Sequence, residues 1–319
     1  MMNASGRSIA TLRRLCVALL LALALAGCAS TQNGQQLAPP DSPVIVRFGG
    51  QTYTLADFEQ RLQRDIGPGV ADLVAQGQTR EQIEQLANEA NVRATIFDRL
   101  IQDLLLLDYA RRNGIGADPS AVDAAVLPMF SPGGDGPLLA MTVRREQVAR
   151  EQVVFEVIAR NTRADMVNVR HILVADESAV NQVLADLAAG ADFAALARER
   201  SQDTGSAAKG GELGWSPRGQ FVPEFEETAF SAPLNTPTSV QSQFGWHVLE
   251  VLGREANRPF DSFEQLRSSS NAQAFYEQTF MPWYEELRRQ AENSGMLEIA
   301  PGFDPNSVPL PFPAEGGAR

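Results

Sequence analysis

Residues 167–174 read VNVRHILV and residues 244–251 read FGWHVLEV. In both, apolar and polar residues alternate through a histidine. That is the period of a strand with one face turned to a core. His171 and His247 are the two histidines of the 319-residue chain. Each sits inside one of these alternating stretches. Outward from the first, Val183, Leu184 and Leu187 mark an amphipathic helix ending near Gly190. Asp192 caps a second helix with Phe193, Leu196 and Ala197 turned inward. Residues 201–215, SQDTGSAAKGGELGW, form a loop of glycine and small residues. In 219–230, GQFVPEFEETAF, Pro223 starts a short helix carrying Phe225, Ala229 and Phe230.

The order and spacing of VRHILV, SQDTGSAAKGGELGW, GQFVPEFEETAF and FGWHVLEV resemble the bacterial parvulin domain, a peptidyl-prolyl cis/trans isomerase, over residues 166–254. The resemblance implies an α+β fold, a small antiparallel sheet with surrounding helices. It implies an isomerase that needs no cofactor. His171 and His247 fall on the paired histidines of its sheet, Asp203 on an acidic position and Ser242 on the small hydroxylic residue of the floor. These four are the catalytic set the resemblance implies. Leu213, Phe221 and Phe225 fall on the proline pocket, with Phe221 where methionine is usual, which narrows it. Phosphoserine-directed relatives carry a basic cluster after the first strand. Here Ala175-Asp176-Glu177 follows, and two carboxylates repel a phosphate, so phospho-specificity is not expected.

The chemistry suits these residue types. Rotation about an X–Pro bond faces a barrier of about 18–20 kcal/mol that comes from amide resonance, so no bond has to break. A catalyst must bind the twisted amide better than either planar form. An apolar wall removes the water that favours the polar planar amide, and the histidines with Asp203 orient hydrogen bonds rather than move protons. Taken singly, a strand histidine is a satisfied core residue and Phe221 and Phe225 are core fillers. Both histidines falling on the family's histidine positions identifies the domain, while the expected activity rests more on the apolar pocket and Asp203. Two histidines 76 positions apart with no cysteine near them fit no metal-ligand spacing.

The N-terminus reads as an address. Arg7, Arg13 and Arg14 precede an apolar run at 15–26, long enough for a signal segment and too short to span a bilayer. Leu25-Ala26-Gly27-Cys28 resembles the bacterial lipobox, which implies cleavage after 27 and acylation of Cys28, a stable lipid anchor. Ala29 and Ser30 follow, with no aspartate to hold the protein at an inner membrane. The expected location is extracytoplasmic: the periplasmic side of the outer membrane in a diderm, the outer face of the cell membrane in a monoderm. The other cysteine, Cys16, lies in the signal segment, so no disulfide is expected in the mature fold. The net charge of −12 becomes −15 once the three arginines are gone, which disfavours nucleic acid and anionic lipid as ligands.

Outside the parvulin-like block the chain reads as helical. Residues 28–43 read as a flexible tether and 44–54 as a hairpin about Gly49-Gly50. A helix from Leu55 to about Ile66, capped by Thr54, is expected to break at Gly67-Pro68-Gly69. A long helix is expected from Arg80 to Asn113, with Phe97, Ile101 and Leu105 beside Ile96, Leu100 and Leu104. Helices follow from Pro119 and from Leu138 to Thr162, with a loop at 131–137. Residues 97–116 resemble the core helix of SurA-type chaperones and PrsA-type foldases, in which helices before and after the parvulin domain form one chaperone module. The resemblance implies a helical domain at 44–165, with the parvulin domain inserted before a C-terminal helix at 255–293. That helix, striped by Tyr276, Phe280, Trp283 and Leu287, is expected to pack on the N-terminal helices. Residues 294–319, with five prolines, read as disordered. The partners implied are unfolded or newly exported polypeptides and, through Cys28, the membrane. The reading is a lipoprotein foldase, with a client-binding chaperone of weak parvulin activity, or an envelope structural lipoprotein or adhesin, as alternatives.

Overall fold

The structure, a computed structural model, describes residues 41–127 and 138–313. The signal segment and Cys28, most of the tether and the 131–137 loop lie outside the described residues. The chain divides into two compact units. One comprises the described parts of Met1–Arg112, Pro119–Val148 and Leu287–Arg319, the other Asn113–Asp118 and Ala149–Glu286.

In the first unit, β1 (Val44–Phe48) and β2 (Gln51–Thr54) form the expected hairpin, turning on Gly49 and Gly50 at φ +54° and +83°. Helix α1 (Leu55–Ala75) opens with a capping box, in which Thr54 and Asp57 bond each other's backbone N–H. It then runs through Gly67-Pro68-Gly69, where a break was expected. Pro68 forfeits one backbone bond, but Ile66, Gly67 and Val70 are buried around it, and that packing carries the helix across. The long helix expected from Arg80 is two helices, α2 (Arg80–Glu89) and α3 (Val92–Arg112). Asn91, at φ +49°, breaks it in a left-handed conformation that asparagine tolerates. Buried Arg93 ties the pair together, bonding Asn88 at 2.8 Å and Glu84. Of the expected apolar rows, Ile96, Phe97, Leu100, Ile101 and Leu105 are buried and Leu104 is half-buried. Helices α4 (Pro119–Val126) and α5 (Leu138–Asn161) follow.

The reading of 294–319 as disordered is overturned for its described part. Strand β7 (Leu297–Ile299) runs antiparallel to β1, giving the sheet order β2, β1, β7. Phe303 packs on Phe97 and Phe58, with ring centroids 5.1 and 6.1 Å away, and Val308 and Leu310 are buried. An extended segment docked by isolated side chains shows no periodicity, and its prolines cost nothing where no ladder bond is required.

The second unit is built on an antiparallel sheet of order β4, β3, β6, β5: β3 (Arg163–Val174), β4 (Glu212–Pro217), β5 (Thr238–Ser242) and β6 (Gly245–Pro259). The α+β expectation holds. The sheet, however, reaches beyond 166–254 at both ends, since the alternation of β3 and β6 continues past the motifs. Ile172 and Val174 of β3 and Val248 of β6 pack under α6 (Glu177–Ala188) and α7 (Phe193–Arg200). Val167 and Val169 of β3, with Leu249 and Val251 of β6, pack under α8 (Pro223–Ser231).

The C-terminal helical stretch is not one helix. It is α9 (Phe263–Ser268), α10 (Ala272–Phe275), a π-helical turn at Tyr276–Phe280 and α11 (Met281–Asn293). Phe263 stacks on Phe155 of α5 at 4.2 Å, and Phe280 is buried among Tyr276, Trp283 and Tyr284. Most of the aromatic stripe therefore finds its core inside the second unit. From Leu287 onward α11 belongs to the first unit, where Arg288 faces Asp98 at 3.5 Å and Ala291 is buried. Among the described residues no helix is long and apolar enough to cross a membrane.

Candidate functional site

The register of β3 and β6 decides where the histidines go. His171 lies opposite Leu249, and His247 opposite Leu173. The two imidazoles are therefore diagonal neighbours on one face of the sheet. Their rings lie nearly parallel, centroids 5.4 Å apart, with Nδ1 to Nδ1 at 3.1 Å. Both are buried, His171 at 6% exposure and His247 at 5%. Phe225 of α8 meets both edge to face, at 5.5 and 5.2 Å. Phe221 lies against Phe225 at 4.9 Å, and Leu213 and Phe221 join the half-buried rim of the same apolar cluster.

Ser242 ends β5, and a two-residue turn returns the chain to Gly245. That tight hairpin sets the Ser242 hydroxyl 2.7 Å from His247 Nε2. On the far side, Asp203 Oδ2 lies 2.8 Å from His171 Nε2. Asp203 follows α7, and its loop is stitched to β3. Gln202 N donates to the Leu173 carbonyl at 2.8 Å, and the Ser201 hydroxyl accepts from Leu173 N at 3.1 Å. His171 N in turn donates to the Gly211 carbonyl at 2.9 Å. A Cβ on Gly211 would stand 2.1 Å from the His171 carbonyl oxygen, and Gly211 has φ +81°. Only glycine lets the loop pass this close to the strand.

These contacts make one line of hydrogen bonds: Ser242, His247, His171, Asp203. The Ser206 hydroxyl donates to Asp203 Oδ2 and Gly205 N to Oδ1 at 3.0 Å, and with His171 these donors hold the Asp203 carboxyl down to about 2 against the opposing effect of burial. Burial, with the neighbouring His171 second, pushes His247 down to about 4, so its ring is neutral at physiological pH. An ionised carboxylate only accepts, so His171 Nε2 donates to Asp203. Where His171 carries a single proton, on Nε2, its Nδ1 accepts from His247 Nδ1, and His247 Nε2 accepts from the Ser242 hydroxyl.

All seven expected residues thus fall on one region, four in the polar line and three in the apolar cluster beside it. Three members were missed from sequence. Ser206 and Ser201 look like any small residue of a glycine-rich loop, and Gly211 carries a signal only once the His171 backbone is known to lie against it. The turn Asp-x-x-Ser at 203–206 was the one available hint for Ser206. No group of three or more His, Cys, Asp or Glu side chains among the described residues could hold a metal ion.

Comparisons with known proteins identify two domains. The family described as the PPIC-type PPIASE domain matches residues 153–255, and the family described as the SurA-like N-terminal domain matches residues 4–136. Chaperone SurA of Legionella pneumophila strain Lens is 37% identical over 136 residues, covering 39% of this chain and 32% of that one. This chain thus spans about a third of the length of the SurA chaperones it matches. Foldase protein PrsA of Caldanaerobacter subterraneus is 26% identical over 280 residues, 77% of this chain and 84% of that one. Among solved structures, the parvulin NmPin of Nitrosopumilus maritimus aligns with 28% of this chain and 98% of its own at 34% identity, with a TM-score of 0.27. The chain carries a PPIC-type parvulin PPIase domain and a SurA-like N-terminal domain, and its homologues are the foldases and chaperones named PrsA and SurA.

Proposed function

We propose that this chain is a lipid-anchored, extracytoplasmic folding factor that isomerises X–Pro bonds in exported polypeptides without requiring phosphorylation. The observation that carries the reading is the Ser242–His247–His171–Asp203 line, buried at its two histidines and half-buried at its ends, lying against Phe225 and Phe221. An apolar wall beside a satisfied polar line suits a reaction that must desolvate a prolyl ring and favour a turned amide. Leu213, Phe221 and Phe225 receive the ring. Ser242 and His247 orient the hydrogen bonding toward the amide. His171 and Asp203 hold His247 in one tautomer. No bond breaks and no proton has to leave the enzyme, so the benefit is differential binding of the twisted amide.

Acylation at Cys28 would keep the folded part beside the membrane, and the homologues' names support unfolded polypeptides as clients. A protease-coupled prolyl isomerisation assay on residues 29–319 tests the catalytic claim. Turnover is expected for the wild type, with a loss of about tenfold in Asp203→Ala, the worth of one hydrogen bond to a charged group. Unchanged turnover in that variant would remove Asp203 from the mechanism. Cys28 is tested separately: detergent partitioning of the full chain should be lost in Cys28→Ala.

One observation favours a second reading. The Phe221 ring lies 4.9 Å from Phe225 and fills part of the wall. A crowded wall suits a client-binding module with little catalysis. In that case the wild type suppresses aggregation of an unfolded client while showing no turnover.

A further inference from the structure

We propose that Ser206 is a positioning residue for the isomerase site, fixing the orientation of Asp203 and through it the direction of the whole hydrogen-bond line. The inference rests on the isomerase reading and deepens it.

Ser206 lies in the loop between α7 and β4 and is 3% exposed. Its hydroxyl donates to Asp203 Oδ2, the same oxygen that accepts from His171 Nε2. The other carboxylate oxygen accepts from Gly205 N at 3.0 Å. Donors on both oxygens leave the carboxylate little freedom to rotate away from His171. A buried hydroxyl has the further property that bulk water does not readily take its place. Ser206 is also linked to His171 through the backbone. Its carbonyl accepts from Gly211 N at 3.0 Å, and the Gly211 carbonyl accepts from His171 N at 2.9 Å. Substitution with alanine leaves this second route intact and removes the first, so the role of the hydroxyl is separable from that of the loop.

The consequence reaches Ser242. While Asp203 is ionised it can only accept, and His171 must carry its proton on Nε2. With that as its one proton, His171 accepts at Nδ1 from His247 Nδ1, and His247 Nε2 accepts from Ser242. If Asp203 takes a proton or turns away, His171 loses the partner that fixes its tautomer. The line can then reverse, and the Ser242 hydroxyl would be released to donate elsewhere. His171 of β3 is the titratable group facing Asp203, with His247 of β6 behind it. The donors on the carboxylate accord with its depressed pKa of about 2.

The test compares wild type, Ser206→Ala and Ser206→Thr in the lipid-free mature chain. It reads the Asp203 carboxyl titration by carbon NMR, the His171 tautomer by nitrogen NMR, and isomerisation kinetics. In Ser206→Ala the Asp203 midpoint should rise toward the ordinary value of 3.8. The His171 nitrogen shifts should move toward a tautomer mixture, and kcat should fall by about three- to tenfold with KM within about twofold, the loss of one charge-assisted bond. Ser206→Thr, which keeps the hydroxyl, should restore all three. If Ser206→Ala does not fold, Ser206→Cys takes its place, its weaker donor giving a smaller shift in the same directions. An unmoved Asp203 midpoint, or a moved midpoint with unchanged kcat, overturns the proposal. So does a loss of kcat that threonine fails to rescue. A wild type without turnover overturns the isomerase reading itself, whereas an active wild type matched by Ser206→Ala overturns the role of Ser206 alone.

Discussion

The two faces of the same pair of strands, β3 and β6, are built to opposite rules. On one face Ile172, Val174 and Val248 meet Val180, Val183, Phe193 and Leu196 in an all-apolar cluster. A charged pair on this face, Arg170 opposite Glu250, is joined across the strands at 2.7 Å, and the Arg170 guanidinium lies over Phe193 at 4.4 Å. On the other face, offset by one residue along each strand, two imidazoles take places that aliphatic side chains could fill. Burying neutral imidazoles without partners is costly, and here every ring nitrogen has a partner. The first face is stability. The second gives up apolar packing for a directed polar line, as a fold does at a working site.

The largest effects should separate these faces. Phe225→Ala removes the ring that packs on both histidines and should cost about 3–5 kcal/mol of stability, while Ile172→Ala on the other face should cost about 2–5 kcal/mol. Denaturant midpoints measure both. The distinction lies in activity per folded molecule. Phe225→Ala should lose kcat/KM as well, whereas Ile172→Ala should keep it within about twofold. Equal loss of activity in the two variants would break the comparison.

The next effect is on pH. His247 is held at about 4 in the fold against an ordinary 6.5. Between those values the unfolded chain binds a proton that the folded chain refuses. Stability should therefore be flat above about pH 6.5 and fall as pH drops toward about 4, by on the order of 3 kcal/mol at most. Asp203 adds to the same trend lower down, its contribution present above about 3.8 and lost as pH falls toward about 2. Thermal melts across this range measure the slope. His247→Asn should abolish the part between about 6.5 and 4. A slope that survives in that variant assigns the proton to another group.

How much of this could be read in the sequence follows the same division. Alternation reports face, so the strands around His171 and His247 were legible, while the pairing of the two histidines came from the family resemblance. Single-residue events were not. Asn91 breaks a strongly periodic helix by one left-handed residue, and Pro68 fails to break another because burial on both sides outweighs one missing bond. The segment from Met296 to Leu310 docks without periodicity, through a three-residue strand and isolated contacts of Phe303, Val308 and Leu310. At the site, alternation pointed to the strand histidines and the resemblance to Asp203 and Phe225, whereas Ser206 and Gly211 matter through a loop's approach to a strand, which no local pattern encodes.

The smallest effect concerns where the polar face ends. Beyond β3 the chain turns through Ala175 into Asp176, which caps α6 by accepting from Ala179 N at 2.9 Å. Capping pins that carboxylate in place, and Asp176 and Glu177 are both exposed. Two unit charges a few ångströms apart in water interact by only about 1 kcal/mol, and salt reduces this further. A pSer-Pro peptide should therefore be turned over about fivefold less efficiently than its Ser-Pro counterpart at low salt, a gap that closes as salt is added. Glu177→Lys should narrow the gap without disturbing the cap, since Asp176 and not Glu177 makes the capping bond. Comparing kcat/KM for the peptide pair at two salt concentrations checks this. A preference for pSer-Pro would mean that the histidine face extends into a phosphate site beyond β3, and the division between a face that reads the proline and a loop that merely tolerates its neighbour would have to be redrawn.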